Sequence, residues 1–117
     1  SIEALKATMQ PFTVETVEKE EDKYNLANVR FHSIIVNGTR KSRLINSIEA
    51  LYDHLSLAKS MRLISLTKRP VRSFEEHLSI IDSVVSGDAE LTERLMRAHI
   101  HSLKTDVIQK LYAPGSL

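Results

Sequence analysis

The residues that interrupt a chain are scarce in this one. Three glycines and three prolines are spread over 117 residues, at Pro11, Gly38, Pro70, Gly87, Pro114 and Gly115. A many-stranded sheet needs a turn every few residues, so this punctuation favours long helices. The intervals carry apolar residues at helical spacing. Residues 2–10 place Ile2, Leu5 and Met9 on one face, and Pro11 ends or bends that helix. Residues 12–17 alternate briefly and fit either a turn of helix or a short extended link. A helix over 18–36 opens with acids that complement its dipole and carries Tyr24, Ala27, Phe31, Ile34 and Ile35; Asn37-Gly38 is its stop signal. Thr39 is placed to cap a helix over 40–66 with the stripe Leu44, Ile45, Ile48, Leu51, Tyr52, Leu55, Ala58 and Leu63, closed by basic residues and Pro70.

Two further helices complete the pattern. Ser73-Phe74-Glu75-Glu76 matches a capping box and predicts a helix start, with His77, Ile80, Ile81 and Val84 on one face and an end before Gly87. Asp88 caps a last helix over 89–112, with the stripe Leu91, Leu95, His99, Leu103 and Val107. Five helices, each with one apolar face and short links, define an all-α fold, an antiparallel helical bundle.

Apolar residues make up 42% and charged residues 26% of the chain, ordinary values for a soluble globular protein, which here fit one domain. The absence of cysteine removes disulfides, thiolate metal sites and cysteine nucleophiles, and fits a cytoplasmic protein. The net charge of +1 and the single short basic run Arg40-Lys41-Ser42-Arg43 give no face for DNA. No apolar run approaches the roughly 20 residues of a membrane span. The charged, amphipathic opening Ser1–Lys6 is no signal peptide.

The histidines carry the chemistry. In Asn28-Val29-Arg30-Phe31-His32, Asn28 and His32 stand four residues apart, on one face of a helix. His77 and His99 lie on the apolar stripes of two later helices. His101, two residues past His99, points about 200° away around the helix, and His54 lies at the edge of its stripe beside Asp53. One histidine on an apolar face is ordinarily a hydrogen-bonded core residue. Three, on three helices, need more partners than a core of leucine and isoleucine offers. One metal ion satisfies all three, with the Asn28 carbonyl oxygen as a fourth ligand, and imidazole suits zinc, nickel, copper or iron. Other chemistry is weaker: there is no H-E-x-x-H, P-loop or G-x-G-x-x-G, Ser73 is accounted for as a cap, and the acidic run Glu18–Asp22 lacks the alternation of a calcium loop.

In this order the features resemble the C-terminal effector-binding (FCD) domain of GntR-superfamily transcription regulators of the FadR subgroup. That pattern has Asp-x-x-x-His, here Asn28 to Phe31-His32; a Ser-x-x-Glu-His segment, here Ser73 to Glu76-His77; a Gly-Asp turn, here Gly87-Asp88; and a methionine-containing helix ending in His-hydrophobic, here Met96 to His99-Ile100. The resemblance covers about residues 2–112. It implies a helical, homodimeric, non-enzymatic ligand-sensing domain. That domain takes a small carboxylate effector at a cavity holding a divalent metal, zinc first, with nickel or manganese possible alternatives, on Asn28, His32, His77 and His99. Arg62 falls where a family arginine often lies and is a candidate to clamp the carboxylate. Operator DNA is then reached only through an N-terminal winged helix-turn-helix domain that these 117 residues lack, so residues 1–117 read as one effector-binding and dimerisation domain, truncated at its N-terminus. The usual aspartate is Asn28, which keeps an oxygen but loses the charge. Two other readings compete: a metal-free dimerisation bundle with three satisfied core histidines, and a small helical metalloenzyme, which needs a general base on the histidine face.

Overall fold

The apolar stripes of the helices meet around a cluster built from Leu5, Met9, Phe12, Val17, Tyr24, Phe31, Ile35, Phe74, Ile80, Ile81, Met96, Ile100 and Leu103. The computed structural model describes residues 2–38 and 69–112. These form α1 (Ile2–Met9), α2 (Thr16–Lys19), α3 (Glu21–Gly38), α4 (Pro70–Val85) and α5 (Ala89–Tyr112), with no strand among the described residues. The chain is thus all-α. The helix expected over 40–66, with its Thr39 cap, the basic run 40–43, His54 and Arg62 lie outside the described residues.

Helix α4 packs on α5 and on α1; α1 also packs on α3, and α2 bridges α3 and α4. Burial follows the predicted faces closely in α3 and α4. Tyr24, Phe31 and Ile35 are buried, as are His77, Ile80 and Ile81. In α5 the face is turned from the expected one. Met96, His99, Ile100 and Leu103 are buried, while Leu91 and Leu95 are half-buried. Ile2, expected on the α1 stripe, is exposed, and Leu5, Thr8 and Met9 carry that face.

Two boundaries depart from the sequence reading. The capping box at Ser73 does not start α4. Pro70 does, at the first helical position, where its missing N–H costs nothing and its fixed φ suits the helix. The Ser73 N–H therefore already donates to the Arg69 carbonyl at 3.0 Å, and its hydroxyl is buried within the helix and free for another use. Pro70 thus opens α4. The second departure is a break at Glu20 (φ −111°, ψ 48°) that separates the one-turn α2 from α3, so the helix expected from residue 18 begins at Glu21. Residues 12–17 lead into a short helical turn, secured by the Thr13 N–H donating to Thr16 Oγ1 at 2.8 Å and by fully buried Val17.

Three residues join α4 to α5. Ser86 and Gly87 close the end of α4 with N–H bonds to Asp82 O and Val84 O, and Gly87 turns the chain at φ +75°. Asp88 Oδ1 accepts the Leu91 N–H at 3.0 Å, the expected cap of α5. Ser83 Oγ and Thr92 Oγ1, 2.7 Å apart, pin the two helices just beyond the turn. A link this short forces α4 and α5 antiparallel. A Cβ at Gly87 would meet nothing within 4 Å, so Gly87→Ala is expected to cost only the left-handed backbone strain, about 1–2 kcal/mol. Urea denaturation checks this: the midpoint should fall with the slope unchanged, and an unshifted midpoint contradicts it.

Candidate metal centre

Three helices each deliver one imidazole to the same point. His32 from α3, His77 from α4 and His99 from α5 are at most 2% exposed. Their ligand nitrogens all lie within 4.8 Å of one another. His99 Nε2 is 3.1 Å from His32 Nε2 and 3.0 Å from His77 Nε2. The rings stand steeply to one another, at 63° to 82°, so their Nε2 corners, not their faces, converge.

The outer nitrogens of two rings are occupied. His99 Nδ1 lies 2.8 Å from Glu76 Oε1, a carboxylate that can only accept, so Nδ1 carries the proton. His77 Nδ1 lies 3.2 Å from Tyr24 Oη, which in turn is 2.8 Å from Ser73 Oγ. With the ring donating to the phenol and the phenol to the serine, His77 Nε2 is left with a lone pair. Phe31 stacks on His77 at 4.0 Å between centroids, and Tyr24 lies nearly parallel at 6.2 Å, fixing the ring's plane. Nitrogen lone pairs brought this close, away from water, require a proton or a metal ion between them. A single proton serves one or two neighbours; a metal ion serves all three, and neutral imidazole nitrogen is its usual donor.

Electrostatics agree with this picture. Burial, and then the charge of His99, hold His32 well below the ordinary 6.5. Burial does the same to His77, helped by His99, His32 and Arg69. Burial raises the Tyr24 phenol, which stays protonated. For Glu76, burial pushes the carboxyl up. The His99 hydrogen bond and the charges of His99, Arg69 and Arg72 outweigh it and leave the group below its ordinary value.

Asn28 is 2% exposed and one turn before His32. Its Oδ1 has no hydrogen-bond partner among the described residues. Leaving a buried carbonyl oxygen unmatched costs about 1–3 kcal/mol, so that oxygen has a donor or cation to find. All four residues singled out by spacing are therefore buried: the three histidines meet, and Asn28 brings an unsatisfied oxygen from the same helix as His32. His101 is exposed, as its spacing requires.

Other residues belong to the site without standing out in the sequence. Glu76, one residue before His77 and so about 100° from it around α4, reaches His99 on α5. Arg69, 8% exposed, donates from Nη2 to Glu76 Oε1 at 2.8 Å. It also sets Nε 2.9 Å from Asp106 Oδ2, an ion pair whose N–H is not aligned for a hydrogen bond. Ser73 and Tyr24 read as a cap and an apolar-stripe residue, yet both support His77.

An all-helical unit that draws three buried histidines from three helices onto one point has the donor set to hold a metal ion there. The chain belongs to the FCD domain family, whose profile matches residues 1–102. Over 82 residues, 69% of this chain, it is 32% identical to the HTH-type transcriptional regulator BphR of Paraburkholderia xenovorans (strain LB400). Over 93 residues, 77% of this chain, it is 30% identical to a protein of Escherichia coli (strain K12) named as an L-lactate dehydrogenase operon regulatory protein. The matched regions span 33% and 36% of those relatives, about a third of their length. No solved structure matches. No helix among the described residues is long and apolar enough to cross a membrane.

The lowered histidines set a pH dependence. In the unfolded chain each ring takes up a proton near 6.5; in the folded, metal-free chain His32 and His77 do so only well below that value. Between those limits the unfolded state holds more protons, so acid favours unfolding. For protein stripped with chelator, stability is expected to fall as pH drops from 7 to 5, by up to roughly 1 kcal/mol per pH unit for each ring. Urea midpoints measured across that range test it, and a flat profile refutes it.

Proposed function

We propose that this domain senses a small carboxylate at a divalent metal ion held by His32, His77 and His99, with Asn28 Oδ1 as a fourth ligand, and passes the signal to the DNA-binding part of a transcription regulator. The observation that carries this reading is the convergence of His32 Nε2 and His77 Nε2 on His99 Nε2, at 3.1 and 3.0 Å, with the Nδ1 atoms of His77 and His99 already engaged. The unsatisfied Asn28 oxygen supports it. Zinc, nickel and manganese all suit a set of imidazoles and one carbonyl oxygen.

The donor set also suggests the ligand's chemistry. Three neutral imidazoles and an amide leave a divalent ion's charge uncompensated. Glu76 is shared with Arg69 and Arg72 and offsets little of it. A bound ion therefore supplies positive charge and open positions that an anionic effector fills. A small carboxylate fits, and one relative is named as a regulatory protein of an L-lactate dehydrogenase operon. A ligand that ties three helices together favours one arrangement of the bundle over another. It biases DNA binding by the difference in its affinity for the two states, typically 1–3 kcal/mol. In a homodimeric regulator that difference acts on both DNA-binding domains.

This role needs no catalysis. Glu76, the carboxylate in contact with the trio, touches the Nδ1 edge of His99, away from the Nε2 cluster, and is not placed to activate a metal-bound water. A second reading has its own support. The Nε2 atoms are within hydrogen-bond distance of one another, so a shared proton can hold them in a metal-free dimerisation bundle.

Plasma mass spectrometry of protein purified without chelator or nickel resin separates the two. About one equivalent of a divalent ion is expected, lost in His77→Ala or His99→Ala, followed by thermal stabilisation with small carboxylates. No metal, and no stabilisation by zinc, nickel or manganese, leaves the metal-free bundle. Asn28→Asp restores a negative ligand and is expected to tighten metal binding on the order of tenfold, about 1.4 kcal/mol; calorimetry giving equal or weaker affinity argues against Asn28 as a ligand.

A further inference from the structure

We infer that Glu76 is a positioning residue: it fixes which nitrogen of His99 faces the centre, and it is itself held by Arg69. The chain of contacts is continuous. Asp106 Oδ2 lies 2.9 Å from Arg69 Nε, Arg69 Nη2 donates to Glu76 Oε1 at 2.8 Å, and the same oxygen accepts the His99 Nδ1–H at 2.8 Å. Arg72 Nε approaches the other oxygen at 3.4 Å. Both carboxylate oxygens are thus engaged, and rotating the carboxylate breaks at least one contact.

The consequence for His99 is chemical. An imidazole with one proton can place it on either nitrogen. A carboxylate at Nδ1 makes the Nδ1–H form the stable one, which leaves Nε2 as the lone pair 3.0–3.1 Å from its two neighbours. Without Glu76 the proton can move to Nε2, where it hydrogen-bonds to His32 or His77 and blocks the position a metal ion needs. His77 obtains the same direction from the neutral pair Tyr24 and Ser73. Glu76 gives His99 that direction with a charged group. Arg69, the residue just before α4, and Asp106, on α5 about two turns beyond His99, keep the carboxylate in place.

The effect on metal affinity rests on the proposed metal reading; the effect on the proton does not, so the two fail separately. Wild type, Glu76→Ala and Glu76→Gln are compared in two measurements, after circular dichroism and melting show that each is folded. The first is zinc affinity by competition with a chromophoric chelator. The second is the protonation of His99 Nδ1 in the zinc-free protein, by NMR of ¹⁵N-histidine-labelled samples. Glu76→Ala is expected to weaken zinc binding about 10–100-fold and to move the proton from Nδ1. Glu76→Gln, which keeps an acceptor, is expected to lose less than about tenfold and to retain the Nδ1 proton.

Zinc affinity within about twofold of wild type in Glu76→Ala, or a loss of affinity with the Nδ1 proton unmoved, overturns the inference. In the second case Glu76 acts by charge alone. If wild type binds no zinc, the metal reading fails and Glu76 is judged on the proton: its displacement in Glu76→Ala upholds the positioning role, and its retention ends it.

Discussion

Three imidazoles pointing their Nε2 atoms at one another inside a helical core is the constraint around which the domain is arranged. Each ring is fully desolvated, and each nitrogen lone pair lies near another. Such an arrangement needs a proton or a metal ion between the nitrogens and donors or acceptors behind the rings. The surroundings follow from that demand. Phe31 fixes the plane of His77, Tyr24 and Ser73 hold its outer nitrogen, and Glu76 holds that of His99. Arg69 is buried because it holds Glu76.

The same demand explains what could be read from the sequence. Asn28 and His32 share a helical face by spacing alone, and His77 and His99 sit where the 3.6-residue period places core residues. The fold class follows from the scarcity of breakers and from the stripes. The supporting residues were hidden for a specific reason. Adjacent helical residues diverge by about 100°, so Glu76 and His77 seem to serve different faces, yet the long glutamate side chain reaches α5 while His77 turns to the core. Tyr24 reads as apolar bulk, and only its neighbours in space give its hydroxyl a use.

Two local signals competed at the start of α4, and the stiffer one prevailed. Ser73 with Glu76 three residues on matches a capping box, but Pro70 three residues earlier is preorganised for the first helical position and starts the helix there. Starting at Pro70 places Ser73 within the helix and frees both residues of the would-be cap: the serine supports Tyr24, and the glutamate supports His99. In α5, the buried face is the one that carries His99, so Met96, Ile100 and Leu103 fill the core while Leu91 and Leu95 sit at its margin.

The three-residue turn at Gly87 has a consequence for how the trio is assembled. His77 and His99 are 22 residues apart on a single hairpin, whereas His32 and His99 are 67 apart. Closing the longer loop costs about 1 kcal/mol more chain entropy than closing the shorter one, by the logarithmic dependence on loop length. Whatever joins His32 to the hairpin, a shared proton or an ion, therefore acts as a removable cross-link across a long loop of the chain. Unlike a covalent staple it holds only the folded arrangement and is released on unfolding, so it stabilises the fold to an extent set by the solution around it.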